Sequence, residues 1–214
     1  EPFDFSDDER ERIYLERVER SGTRSRAGNV EAFFRSTFDA WKDFRRTGRE
    51  SVYVGYSPIV VVDTEKILAD FPEAHVLHIV RNPWSAYADT KKRPVPLPLA
   101  SYLLGWSLNQ YHALLYRDRY PGRTHLLRFE DEIEDPRRAL GSICEALGIA
   151  SSDTLGTPTF NGRPLAEVYP WGTIRSATPE ANRKTALELS REEREEVRAR
   201  ARPFLAPFDY ESFL

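Results

Sequence analysis

The stretch HVLHIVRNPWSAYADTKKR, residues 75–93, is informative about the fold because an apolar run changes abruptly into a charged residue and a helix start. Residues 75–80 are apolar and bounded by turn-forming residues, which is typical of a strand buried on both faces of a parallel sheet. Asn82-Pro83 then supplies a capping side chain and a proline at the first helical position. The stretch therefore predicts a strand that leads directly into a helix, with Arg81 between them.

Strands and helices alternate along the chain. Residues 51–55 (SVYVG) and 123–129 (RTHLLRF) are rich in β-formers and predict two further strands. Apolar residues recur every three or four positions from Asn29 to Arg46, which predicts an amphipathic helix ended by Gly48. Other helices are predicted to begin at capping residues, namely Ser6, Asp63 or Thr64, Asp135, Thr178 and Ser190. We expect a single α/β domain over residues 1–214, with a mostly parallel sheet covered on both faces.

The composition narrows the class of protein. A chain of 214 residues with 40% hydrophobic residues is long enough to bury a sizeable core. A formal charge of −3 gives no reason to expect nucleic acid or an anionic membrane as the main partner. The single cysteine, Cys144, excludes internal disulfides and fits a reducing compartment. No apolar stretch is long enough to span a bilayer, and the acidic start is unlike a signal peptide. We expect a cytoplasmic protein, and the excess of arginine over lysine indicates a bacterial source; the oligomeric state stays open.

Arg81 is the first candidate binding residue. Ligands of open parallel sheets bind beyond the carboxyl ends of the strands, where helix N-termini point. A guanidinium at the wet end of a strand, beside the free N–H groups of the helix that follows Asn82, suits a phosphate dianion. The alternative is an arginine that pairs with a carboxylate at the strand end.

The same stretch resembles the 3'-phosphate-binding segment of the sulfotransferase family, in which an apolar strand, Arg-Asp/Asn-Pro and a helix follow one another. Three other segments are similar to that family: GYSPIVVVDTEKILADFPEA (55–74), THLLRFEDEIEDPRRALGSICEALGI (124–149) and LELSREEREEVRARARPFLAPFDY (187–210). The resemblance covers roughly residues 52–214. It implies a three-layer α/β/α, P-loop-NTPase-like sulfotransferase fold. It also implies transfer of a sulfuryl group from 3'-phosphoadenylyl sulfate (PAPS) to a hydroxyl or amine, which leaves adenosine 3',5'-bisphosphate.

The resemblance assigns Arg81 to the 3'-phosphate of the nucleotide. The family's second ligand, a serine eight residues later, falls here on Asp89, whose charge would repel a phosphate. Either the neighbouring Thr90 replaces that serine through a slight shift, or the 3'-phosphate is held differently. Glu130, after the later strand, is expected to be structural and to tether Arg81 or the next helix.

A late loop, YPWGTIRSATPEANRK (169–184), corresponds to the family's segment that closes over the adenine and the 3'-phosphate. The resemblance lets Trp171 stack on the base, Gly172 and Thr173 offer backbone N–H groups, and Arg175 contact a phosphate. Alternatively, Trp171 anchors the loop in the core.

The cradle for the 5'-phosphosulfate is not evident. Arg20-Ser21-Gly22-Thr23 spells part of the family's loop, but the charged residues before it predict an exposed helix and no buried strand. The sequence starts at Glu1 and contains no methionine. We therefore expect the N-terminal strand and its loop to lie before Glu1 or among omitted residues.

The sequence indicates few residues that would contact the acceptor. Ser57 and Lys91 are candidate substrate-side residues, although Lys91 also fits a solvated basic helix end. The catalytic base stays unassigned, because the four histidines are predicted to lie within a long helix (His112) or at strands (His75, His78, His125). The resemblance implies a small-molecule or glycan acceptor and no metal.

Two alternatives compete with a sulfotransferase. A nucleotide-dependent kinase of related fold would need a GxxxxGK[ST] loop, which the sequence does not contain. A non-catalytic nucleotide- or ligand-binding module of the same fold would need no donor loop, and Asp89 favours it.

Overall fold

The computed structural model describes residues 4–22, 25–44, 46–157, 159–160, 163–164 and 178–214. Its helices are α1 (Asp7–Ser21), α2 (Arg26–Ala40), α3 (Thr64–Asp70), α4 (Pro83–Lys91), α5 (Leu99–Arg119), α6 (Phe129–Glu134), α7 (Pro136–Ala146), α8 (Pro179–Ala186) and α9 (Arg191–Leu205). The strands are β1 (Val76–Val80), β2 (Thr124–Arg128), β3 (Thr159–Phe160) and β4 (Arg163–Pro164). Short 3₁₀ turns cover Val60–Asp63 and Asp153–Gly156. Within these ranges, no helix is both long and apolar enough to cross a membrane.

A small parallel sheet confirms the α/β class. Strands β1 and β2 pair in parallel, with Val76 opposite Thr124 and Val80 opposite Arg128. Helices α4 and α5 form the crossover between them, as a parallel connection requires. β3 and β4 form a separate antiparallel pair. Both strands of the parallel pair therefore end at the same edge, directly before Arg81 and Phe129.

The predicted strand at residues 51–55 is wrong. This segment has neither helical nor strand structure, and Val54 is 84% exposed. A high β-propensity reflects a good fit to a half-buried pleated surface, and residues 51–55 pair with no strand in the described part of the chain. The sheet is therefore smaller than predicted.

Helix starts are predicted far better than this strand. The side chains of five N-cap residues each accept a hydrogen bond from a backbone N–H in the first turn, as expected: Ser6, Asn82, Asp135, Thr178 and Ser190. Ser190 and Glu193 complete a capping box. These bonds are local, so the sequence specifies them without the rest of the fold.

The N-terminal helices differ partly from the prediction. Helix α2 ends at Ala40, well before Gly48, and the rings of Phe38, Trp41 and Phe44 contact one another around this end. Helix α1 runs to Ser21 and ends at Gly22, whose φ of 62° is left-handed. Arg20 and Ser21 are thus the last helical residues of α1 rather than a loop after a strand, while Thr23 lies outside the described residues.

The core holds α4 rigidly in place. Trp84 is fully buried, and its Nε1 donates to the carbonyl oxygen of Arg194 in α9 at 3.0 Å. Val80, Leu103 and Val197 pack in the same buried cluster, which joins β1, α5 and α9. The strand end and the helix start on either side of Arg81 are therefore fixed by tertiary packing.

Candidate functional site

The candidate site lies where β1 ends and α4 begins. Asn82 is fully buried, and its Oδ1 accepts from the backbone N–H of Ser85 at 2.8 Å, which caps α4. Pro83 occupies the first turn, as predicted. The backbone between strand and helix therefore places Arg81 at the carboxyl edge of the sheet.

Arg81 is an ion-paired, mostly buried residue. Its Nη1 donates to Oδ2 of Asp89 at 2.6 Å, and its Nε donates to Oδ1 of Asn182 at 2.9 Å. The guanidinium lies over the ring of Phe129, 5.0 Å from the centroid. The side chains of Arg81 and Asp89 are each 19% exposed. The expectation of a guanidinium at a wet strand end is therefore wrong, because α8 and the end of α4 enclose it.

Glu130 joins three parts of the chain behind Arg81. Its Oε1 accepts from Nδ2 of Asn82 at 2.7 Å and from Nδ2 of Asn182 at 2.9 Å. Its Oε2 accepts from the hydroxyl of Tyr210 at 2.6 Å. Burial and the charge of Glu130 raise the pKa of Tyr210, so the phenol stays protonated and donates. Glu130 thus tethers the helix start, as expected of a structural carboxylate, through Asn82 and not through Arg81.

Thr90 and Lys91 make contacts with other parts of the protein. Thr90 is buried, and its hydroxyl donates to the carbonyl oxygen of Ala86 at 2.9 Å. Lys91 is exposed and pairs with Glu193 of α9 at 2.5 Å. The structure brings Arg81 and Asp89 together, whereas Thr90 already uses its one hydroxyl proton within α4.

The remaining predicted residues lie in another segment of the protein or outside the described residues. Ser57 lies in the irregular segment before the Val60–Asp63 turn, where its carbonyl oxygen accepts from the N–H of Val60. The four residues predicted for the late loop lie outside the described residues: Trp171, Gly172, Thr173 and Arg175.

The histidines do not supply a base at this edge. His75 and His125 lie at the opposite, N-terminal ends of the two strands, with their ring nitrogens 2.9 Å apart. His78 contacts Oε1 of Gln110 at 2.8 Å, and Nδ1 of His112 donates to the carbonyl oxygen of Leu108. The described part of the chain also has no group of three His, Cys, Asp or Glu residues that could hold a metal ion.

Three contacts of this site were not predicted from the sequence. Asn182 and Tyr210 are 101 and 80 residues from the partners they bond, Arg81 and Glu130 respectively. Phe129 follows β2 immediately, so its position under Arg81 depends on the pairing of the two strands. No spacing rule links such distant residues.

A groove of about 820 Å³ runs along β2 and is lined by all five strand residues, one face of α7 and residues 207–209. Arg81 and Asp89 are not among its lining residues. The chemistry at the end of β1, rather than the volume of this open groove, identifies the candidate site.

Comparisons with known proteins concern the family and the fold of the chain. A family model described as the sulfotransferase family matches residues 7–153, which include Arg81, Asp89 and Glu130. No curated protein matches the chain. Among solved structures, the chain is similar to a sulfotransferase domain from the curacin biosynthetic pathway, with a TM-score of 0.52 at 12% identity. That match covers 94% of this chain and 81% of the other, and at this identity it shows a shared fold.

Proposed function

The chain belongs to the sulfotransferase family, and from this premise we propose that it transfers a sulfuryl group from a nucleotide 5'-phosphosulfate to a hydroxyl or amine. The observation that supports the proposal is Arg81 at the carboxyl end of β1, beside the N-terminus of α4 and within the matched region. Helix N-termini and guanidinium groups both favour anions, so a phosphorylated nucleotide suits this edge.

The reaction exchanges one bond to sulfur for another. The acceptor oxygen or nitrogen attacks the sulfur in line, and the S–O bond to the 5'-phosphate breaks with its electron pair on the nucleotide oxygen. The acceptor loses one proton to a base. The proposal includes a small-molecule or glycan acceptor, with Ser57 and Lys91 as substrate-side residues. Trp171, Gly172, Thr173 and Arg175 are proposed to cover the nucleotide.

The proposed fold is the three-layer, P-loop-like arrangement of this family. The parallel pairing of β1 with β2, through a crossover of two helices, supports it.

The donor implied by the family is PAPS, whose 3'-phosphate would have to bind at Arg81. The side chains found there do not fit a 3'-phosphate as they stand, because the carboxylate of Asp89 pairs with the guanidinium and would repel a phosphate dianion. The bonds made and broken in the proposed reaction all lie at the 5'-phosphosulfate end of the donor. The reaction therefore does not depend on the group at the 3' position.

A direct test combines binding and turnover. Calorimetry would compare adenosine 5'-phosphate and adenosine 3',5'-bisphosphate with ATP and magnesium, and tighter binding of ATP would favour a kinase instead. Donors carrying ³⁵S, adenylyl sulfate and PAPS, would then be incubated with alcohols, phenols and amines. Label appearing in an acceptor supports the proposal.

A non-catalytic nucleotide-binding module is the second candidate. The observation that favours it is that no histidine of the described chain lies at the Arg81 edge to accept a proton. Nucleotide binding without any transfer of label would support this module and contradict the sulfotransferase.

A further inference from the structure

We propose that the nucleotide site at Arg81 takes a donor with a free 3'-hydroxyl rather than a 3'-phosphate, and that Asp89 determines this choice. The inference rests on the proposed function, since it concerns the nucleotide that a sulfotransferase would bind there. It adds a specificity-determining residue and a donor class, an adenylyl sulfate without the 3'-phosphate.

Two of the three nitrogens of the Arg81 guanidinium already donate within the protein. Nε donates to Asn182 and Nη1 donates to Asp89. Nη2 is buried and has no partner among the described residues. A phosphate that binds through two parallel hydrogen bonds would therefore have to share a nitrogen with Asn182 or with Asp89.

A phosphate that competes for Arg81 would lie beside a mostly buried carboxylate. One oxygen, Oδ1, is already buried and lacks a partner in the described part of the protein, so Arg81 supplies the only bond that the described residues give this group. A buried charge that loses its counter-ion is costly, and a second anion next to it adds repulsion. The ion pair therefore disfavours a 3'-phosphate twice.

A 3'-hydroxyl avoids both the loss of the counter-ion and the repulsion between anions. It is neutral, it can donate to a carboxylate oxygen, and it can accept from a guanidinium N–H, so it adds to the ion pair without breaking it. Carboxylates bind a ribose hydroxyl in the same way in dinucleotide sites that reject a phosphorylated ribose.

The ion pair of Arg81 and Asp89 is held firmly enough to discriminate between a 3'-hydroxyl and a 3'-phosphate. Asp89 lies in the last turn of α4, whose first turn contains the fully buried Trp84. Arg81 is fixed on its other side by Asn182, and the carbonyl oxygen of Asn182 accepts from the hydroxyl of Ser85 at 2.8 Å. Neither partner can therefore move aside without disturbing the packing of α4 on α8.

The experiment compares two product nucleotides on the full chain. Wild-type protein, Asp89→Asn and Asp89→Ser would be titrated by calorimetry with adenosine 5'-phosphate and adenosine 3',5'-bisphosphate. The wild type should bind the monophosphate at least as tightly as the bisphosphate. Each Asp89 variant should bind the bisphosphate about tenfold or more tightly than the wild type does, because the repulsion is gone and Arg81 is free. Affinity for the monophosphate should not rise, because the carboxylate that accepts from its 3'-hydroxyl is gone.

Asp39→Asn is the matched control. Asp39 is also a partly buried aspartate, and it pairs with Arg17 and Arg46. This variant removes the same charge from the chain and should leave the ratio of the two affinities unchanged.

The outcomes separate the two proposals. A wild type that binds the bisphosphate tenfold more tightly than the monophosphate overturns the inference and leaves the proposed function standing. An Asp89→Asn protein with an unchanged ratio also overturns the inference. Failure of both nucleotides to bind any variant overturns the proposed function, and the inference with it. If the Asp89 variants do not fold, the wild-type ratio alone decides.

Discussion

The hydroxyl of Tyr210, close to the end of the chain, donates to Oε2 of Glu130 at 2.6 Å, and the carbonyl oxygen of Val80 lies 3.2 Å from the same hydroxyl. Tyr210 is fully buried. The bond connects the segment after α9 with the end of β1 and the start of α6. The residues around the candidate site are therefore fixed by the C-terminal segment, 80 residues from Glu130 in the sequence.

Replacing Tyr210 by phenylalanine should destabilise the protein. The change removes a hydrogen bond to a charged, partly buried carboxylate, so the free energy of unfolding should fall by about 1–3 kcal/mol. Urea unfolding measures the change. Tyr56→Phe is the control, because Tyr56 is 91% exposed and should shift stability by less than about 0.5 kcal/mol. Equal effects of the two variants would contradict a stabilising role for the Tyr210–Glu130 bond.

The effect of Glu130→Gln on the free energy of unfolding should be coupled to the effect of Tyr210→Phe. Glutamine can still accept from Asn82 and Asn182 through one oxygen, but its amide nitrogen cannot accept from Tyr210. The double variant should therefore lose about 0.5–3 kcal/mol less than the sum of the two single variants. Strict additivity in a double-mutant cycle would show that the two side chains act independently.

Arg81→Ala should reduce stability as well as ligand binding. The substitution leaves Asp89 as a mostly buried carboxylate without its counter-ion, which should cost about 1–3 kcal/mol. Removing both charges, in Arg81→Ala with Asp89→Ala, should recover part of that loss because no unpaired charge remains. The stability of Arg81→Lys should lie between that of the wild type and that of Arg81→Ala, since one ammonium cannot reproduce the two planar donors to Asp89 and Asn182.

Thermal unfolding of these variants, followed by nucleotide titration at a temperature where all are folded, separates the two roles of Arg81. A double variant as unstable as Arg81→Ala would contradict the ion-pair explanation. If Arg81 binds nucleotide, the double variant should also bind adenosine 5'-phosphate more weakly than Asp89→Asn does. Equal affinities would remove Arg81 from the site.

Stability should fall as the pH drops below about 6.5, partly because of His78. Burial lowers the pKa of His78 from its usual value of 6.5, although the contact with Gln110 opposes the shift. Above pH 6.5 the ring is neutral in both states. Below it, the unfolded chain takes up a proton that the folded chain resists, so stability decreases until the lowered folded-state pKa is reached. Burial also lowers the pKa of His125, which acts in the same direction.

Melting temperatures at pH 7.5, 6.5 and 5.5 test this dependence. The Nε2 of Gln110 donates to the carbonyl oxygen of Trp106, so its Oε1 accepts from the ring of His78. A glutamine at position 78 can still donate to that oxygen but does not titrate. His78→Gln should therefore show a shallower fall in melting temperature, and a slope identical to the wild type would exclude His78 as a contributor.

Trp84 should be among the most sensitive core positions. It is fully buried, and Trp84→Ala would leave a large cavity and remove the hydrogen bond to the carbonyl oxygen of Arg194. The expected loss is about 3–5 kcal/mol, measured by urea unfolding where the variant still folds. Trp84→Phe should lose less, because it keeps most of the volume. Leu104→Ala, at a site 73% exposed, should be close to neutral.

Local features of this protein follow from short segments of its sequence. Asn82 and Pro83 specify a helix start through a side-chain cap and a fixed φ, and Ser190 with Glu193 does so again, because these interactions need only neighbouring residues. The apolar run before Arg81 specified β1. The order of these segments also indicated the family that the comparison with known families then confirmed.

The pairing of segments and the surroundings of Arg81 depend on the packing of distant parts of the chain. Residues 51–55 have strong β-formers yet form no strand, since a strand depends on a partner that its own sequence does not encode. The sequence left two alternatives for Arg81. It either binds a phosphate at a solvent-exposed strand end or pairs with a carboxylate, and the two differ in burial. Burial here follows from α8 and the end of α4, which bring Asn182 and Asp89 against the guanidinium. Contacts between residues 101 positions apart result from the packing of the whole chain, and no local pattern determines them.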